Sequence, residues 1–125
     1  MKLLDTTVAI DHLRGSVAAH ELLRRLSGSG ERVAASELVR FELLAGVRPT
    51  EAAALEDFSA TLEWVPVGTD VAKAGGALAR RYRASHSGIE NVDYLIAATA
   101  LLLDADLLTT NVRHFPMLEG LVSAY

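Results

Sequence analysis

Cysteine is absent from all 125 residues. Its absence removes disulfides, thiolate-ligated zinc and thiol nucleophiles, and it agrees with a reducing compartment. Any bound metal must therefore be held by oxygen or imidazole. Lysine is nearly absent too: of the 12 basic residues only Lys2 and Lys73 are lysines, and the formal net charge is −4. No strongly basic surface advertises a nucleic-acid partner. A cluster of acids around a cation would itself supply much of that negative sign, and the arginines can still gather on one rim. No apolar run approaches the roughly 18 residues of a membrane span, and the first residues hold no apolar stretch of a secretion signal. A cytoplasmic protein without membrane contact is expected. Repeats and low-complexity tracts are missing, and Ser27-Gly28-Ser29-Gly30 is only long enough to connect two elements. With 50% hydrophobic residues, a chain of this length makes one domain, residues 1–125, that buries about two-thirds of its unfolded surface.

What is present is a set of acids in the wrong places. Lys2-Leu3-Leu4 is an apolar run of strand length that ends in Asp5. In Ser36 to Gly46, Leu38, Phe41 and Ala45 share a helical face by i, i+3, i+7 spacing, and Glu42 falls on it. In Asn91 to Ala100, Ile96, Ala97 and Ala100 follow Asp93 at i+3, i+4 and i+7. An unpaired carboxylate on a buried face costs several kcal/mol, roughly. Three survive together only if paired, protonated or gathered around a cation, and a shared divalent metal is the simplest common explanation.

The rest of the pattern alternates short apolar strands with helices. Strands are expected at Lys2–Asp5, Arg32–Ala35, Leu62–Val67 and Asp106–Thr109, with Leu121–Ala124 as a candidate fifth. Helices are expected at Val8–Leu13 with Thr6 or Thr7 as cap, at Val17–Leu26, from the Ser36 cap to Gly46, after Pro49, from Thr69 to about Ala84, and at Val92–Leu103. This order predicts an α/β fold with a central parallel sheet of about four or five strands and helices on both faces. Sites in such sheets form beyond the carboxyl ends of the strands. Asp5 ends the first strand, Glu42 follows the second, Asp93 lies in the first turn of its helix, and Asn111 follows the last, so all four can converge on one edge.

Four motifs in order, Leu4-Asp5-Thr6-Thr7, Phe41-Glu42-Leu43-Leu44-Ala45-Gly46, Asp93-Tyr94-Leu95-Ile96-Ala97-Ala98-Thr99-Ala100 and Leu108-Thr109-Thr110-Asn111-Val112-Arg113-His114-Phe115, resemble the PIN domain. The likeness is to the VapC toxins of prokaryotic toxin–antitoxin pairs in particular, and it runs from Lys2 to about Phe115. The resemblance implies a metal-dependent endoribonuclease with a four-residue acidic site. It also implies restraint by a VapB-type antitoxin and a toxin homodimer that forms a heterotetramer or larger assembly with it. Asp5, Glu42 and Asp93 match the family's acids; the fourth position, acidic in many relatives, is Asn111 here. Oxygen-only ligands select Mg²⁺ or Mn²⁺. Asp5 and Asp93 are expected to hold the ion, with Glu42 binding through water or acting as base and Asn111 completing the set. The alternative is a catalytically weak PIN-fold module that binds RNA or protein, with Asn111 and the negative charge on its side.

Other residues carry less. Thr7 and Thr110 are candidates to orient the carboxylates as neighbouring hydroxyls. His12, His20, His86 and His114 show no metal-ligand spacing and are expected in surface or capping roles. Arg80, Arg81 and Arg83 complement the end of their helix, with phosphate contact as the functional option. A dehalogenase-type phosphatase would need Asp-x-Asp where Thr7 stands, and a receiver domain would need a late lysine, whereas the last one here is Lys73.

Overall fold

Leu3 and Leu4 are wholly buried because the first strand has a neighbour on each side. The computed structural model describes residues 1–125. Strand β1 (Lys2–Leu4) pairs in parallel with β2 (Val33–Ser36) on one side and β4 (Asp106–Leu108) on the other, and β3 (Glu63–Val65) pairs with β2. The sheet order is β3-β2-β1-β4. Six α-helices connect the strands: α1 (Thr6–Leu13), α2 (Val17–Ser29), α3 (Glu37–Gly46), α4 (Ala52–Ser59), α5 (Thr69–Tyr82) and α6 (Asn91–Leu103). Two crossovers step from β1 to β2 to β3, and the last returns across the sheet to β4. With right-handed crossovers that reversal puts α1 to α4 on one face and α5 and α6 on the other. Between β1 and β4 lies the switch point, where the carboxyl ends of two adjacent strands open a crevice.

One cluster of 19 buried apolar residues fills the space between sheet and helices. Helix α6 is its main contributor, with Tyr94, Ile96, Ala97 and Ala100 each at most 2% exposed. It lies close to α5 because Gly75 has no side chain: a Cβ there would stand 2.8 Å from Leu95 Cδ2.

Four expectations change. The strands number four, since Leu121–Ala124 forms no strand and makes a single ladder-like bond, Ala124 N–H to Thr109 O at 2.9 Å. Helix α3 buries Val39 and Leu43 instead of the Leu38/Phe41/Ala45 stripe; Phe41 is 66% exposed and Ala45 is exposed as well. Helix α1 starts at Thr6 with Asp5 as its N-cap residue, so neither threonine is its cap. Gly68, and not Thr69, precedes α5 as the cap residue. Ser36 does cap α3, its hydroxyl accepting from Leu38 N–H at 3.1 Å.

Candidate active site at the ends of strands β1 and β4

Asp5 is positioned by the backbone of both strands. Its N–H donates to Leu108 O at 2.9 Å, and the side chain stays 5% exposed beside the end of β4. Thr109 Oγ1 donates to Asp5 Oδ2 at 2.7 Å and Thr7 Oγ1 reaches the same oxygen at 3.4 Å. Burial pushes this carboxyl above the ordinary aspartate range and the charge of Asp93 pushes it further, against the bonds from Thr109, the Thr6 backbone and Thr7. Asp93 is thus near enough across the switch point for its charge to act on Asp5.

Asp93 heads α6. Its Oδ2 accepts the Glu90 N–H at 3.1 Å, a reciprocal bond at the helix start, and faces His114 Nδ1 at 3.0 Å. Burial again raises the carboxyl's pKa, partly offset by those two partners. The bland role as helix-terminal anion and a site role coexist, because both bonds fall on Oδ2.

Glu42 is half-buried on α3. Its Oε1 accepts from Thr6 Oγ1 at 2.7 Å, which links it to the residue next to Asp5. The arginines beside it in sequence are engaged elsewhere: Arg40 bonds Glu37 at 2.6 Å and Arg48 stands 4.0 Å from Glu51. No core ion pair therefore explains Glu42. It also lines a cleft of about 60 Å³ with Ile10, Leu13, Leu43 and Val47.

Asn111 precedes the short 3₁₀ turn Val112–His114. Its N–H donates to Thr109 Oγ1 at 2.9 Å, so one hydroxyl joins Asn111 to Asp5. The structure thus brings Asp5, Asp93 and the Asn111 backbone to one place and ties Glu42 to it through Thr6. No three carboxylate or imidazole side chains stand close enough to enclose one ion.

The orienting hydroxyls are Thr6, Thr7 and Thr109. Thr110 is not one: it is exposed, and only its N–H is used, donating to Thr7 Oγ1 at 3.2 Å. Strand alternation carried the signal for Thr109, since a buried Leu107 puts residue 109 on the same side. His114 was expected on the surface and instead contacts Asp93, 21 residues away, a pairing with no local signal. His12 packs against the rings of His20 and Phe58 at 4.2 and 4.5 Å. Arg83 donates to Asn91 Oδ1 at 2.7 Å, beside the turn that carries Asp93. No helix is long and apolar enough to cross a membrane.

The PIN domain profile matches residues 2–118. The chain belongs to the PIN-domain family. Within that family it is 65% identical over 125 residues to Ribonuclease VapC19 of Mycobacterium tuberculosis, with 100% of both chains covered. A solved VapBC2 from Rickettsia felis, bound to a DNA fragment from their promoter, superposes with TM-score 0.84 at 23% identity, covering 98% of this PIN domain and 96% of that chain. A toxin–antitoxin complex from Klebsiella pneumoniae gives TM-score 0.77 at 25% identity over 100% and 98% of the two chains.

Proposed function

We propose that this PIN domain is the endoribonuclease toxin of a type II toxin–antitoxin pair, hydrolysing RNA phosphodiester bonds at Asp5, Glu42, Asp93 and Asn111. The observation that carries the reading is the gathering of buried Asp5 and half-buried Asp93 at the switch point, where no lysine or arginine pairs with either and only His114 faces Asp93. Ionising both at neutral pH costs stability, and a cation between or beside them offsets that cost. The full-length likeness to a protein named a ribonuclease supports the substrate class.

The donors are all oxygens and fit Mg²⁺ or Mn²⁺. Mg²⁺ keeps several of its waters and needs only one or two carboxylates, so the two aspartates suffice without a closed ring of side chains. When bound, a hard ion neutralises the scissile phosphate and lowers the pKa of its water. The residues of the chain set up that chemistry. Thr109 and Thr7 fix Asp5 through Oδ2, Glu90 N–H and His114 fix Asp93 through Oδ2, and Thr6 fixes Glu42 through Oε1. Each acid has one oxygen held by these donors, and the other would be the one offered to ligand or proton. Asp5 and Asp93 hold the ion, Glu42 binds it directly or through water or takes the proton of the attacking water, and the Asn111 carboxamide oxygen completes the set. Water as nucleophile leaves a 5′-phosphate and a 3′-hydroxyl.

The partners follow from the same reading: RNA as substrate and a VapB-type antitoxin as inhibitor. The toxin itself is a homodimer, built into a heterotetramer or larger complex. The test is cleavage of cellular RNA by purified, antitoxin-free protein with Mg²⁺ or Mn²⁺, beside EDTA and Asp5→Asn controls, with product ends sequenced. Discrete cuts that need both metal and Asp5 support the nuclease. Cyclic phosphate ends would sink the hydrolytic mechanism, and no cleavage at all would favour the binding module.

A further inference from the structure

The turn that follows β4 does more than carry Asn111. His114 closes it, its N–H donating to Asn111 O at 3.0 Å, and the next residue, Phe115, is sunk in the core at 1% exposure. That anchor fixes where the imidazole can lie. It lies against Asp93, with Nδ1 at 3.0 Å from Oδ2, side chains 34% and 15% exposed. With Asp93 ionised the carboxylate has no proton to give, so Nδ1 carries the hydrogen and donates. The Glu90 N–H donates to the same oxygen at 3.1 Å. Two donors from different parts of the chain, one at the start of α6 and one beyond β4, therefore grip Oδ2, and neither touches Oδ1.

We propose that His114 is a positioning residue for Asp93, holding its carboxylate so that Oδ1 is the oxygen offered to the divalent cation. The proposal rests on the reading of Asp93 as a metal ligand given above. A carboxylate held at one point can swing about its Cβ–Cγ bond and exchange its two oxygens. A second donor on the same oxygen removes that freedom before any ion arrives. Outer partners of metal-binding carboxylates generally act in this way, and removing one costs about 10–100-fold in metal affinity.

The experiment is Mn²⁺ binding to the full-length, antitoxin-free chain, followed by calorimetry and by loss of the free-ion electron paramagnetic resonance signal. The variants are His114→Ala, His114→Asn, His114→Gln and Asp93→Asn, each melted to establish folding. Asparagine places an amide N–H where Nδ1 stands; glutamine places its own where Nε2 stands. Expected are loss of binding in Asp93→Asn and an about 10–100-fold weaker affinity in His114→Ala and His114→Gln. Affinity in His114→Asn stays within a few-fold of the parent, and cleavage by His114→Ala recovers at saturating Mn²⁺. Parent-like Mn²⁺ affinity in His114→Ala, alongside loss in Asp93→Asn, overturns the proposal and leaves the metal site standing. Mn²⁺ binding that ignores Asp93→Asn, or is absent in the parent, overturns the metal reading and this proposal with it. If His114→Ala does not fold, the asparagine and glutamine pair decides, since equal affinities in the two would equally overturn it.

Discussion

Helices α3 and α6 each carry one acid of the site, and they hold it in opposite ways. Helix α6 is buried on most of its circumference, from Tyr94 through Ile96–Ala100, and its acid is gripped by a backbone N–H and an imidazole. Helix α3 sinks only Val39 and Leu43, leaves Phe41 and Leu44 at 66% and 57% exposure, and holds Glu42 by one threonine hydroxyl. Depth separates them. An acid fixed in a rigid, desolvated frame suits a ligand whose position must not vary, and one on a shallow helix suits a group that moves a proton or a water.

The contrast is broken most severely at the acids themselves. Asp93→Asn is expected to lower RNA cleavage by about 10²–10⁴-fold, and Glu42→Gln to lower it less, with the difference read at saturating metal. Equal losses would erase the distinction between the helices. For stability, Ile96→Ala in α6 is expected to cost about 2–5 kcal/mol, whereas Phe41→Ala in α3 stays within about 0.5 kcal/mol, both by denaturant titration. The threonine on the shallow side is sharpened by Thr6→Val, which frees Glu42 Oε1. Loss of one hydrogen bond of about 1 kcal/mol predicts a Tm lower by about 3–5 °C, and if the bond is kept in the transition state an about fivefold slower kcat.

The smallest effect is a pH dependence. Folded Asp5 and Asp93 hold their protons above the unfolded aspartate value of about 3.9, because burial opposes their ionisation. Their contribution to stability is fully present below that pH and is lost as pH rises through the folded values. In EDTA, Asp5→Asn should therefore be more stable than the parent at pH 7, and its melting temperature should vary less with pH. Adding Mn²⁺ should reverse the order, since only the parent gains from an ion that binds the folded state.

The parallel α/β plan was legible in the alternation of short apolar strands with helices, and the stripe headed by Asp93 was legible because Ile96, Ala97 and Ala100 follow it at helical spacing and are buried. The face of α3 was not, and the reason is compositional. Leu38, Val39, Phe41, Leu43, Leu44 and Ala45 surround the helix with apolar residues, so spacing alone allows two stripes, and the sheet selects Val39 and Leu43. The false strand at Leu121–Ala124 has the right composition but only one bond to β4's exit. Thr109 was recoverable from strand alternation. The Asp93–His114 pair was not, because proximity between residues far apart in sequence is a property of strand order, and nothing local encodes β4 lying beside β1.

Lys2 and Asp106 are register partners, so the first and last strands of the sheet are neighbours. Synthesis delivers them at opposite ends of its time course. A partial chain released from a stalled ribosome before β4 has its three acids yet lacks the Thr109 hydroxyl that frames Asp5 and the imidazole that frames Asp93. Both framing contacts therefore exist only once β4 has paired with β1, so the surroundings of Asp5 and Asp93 are completed by the strand that is made last.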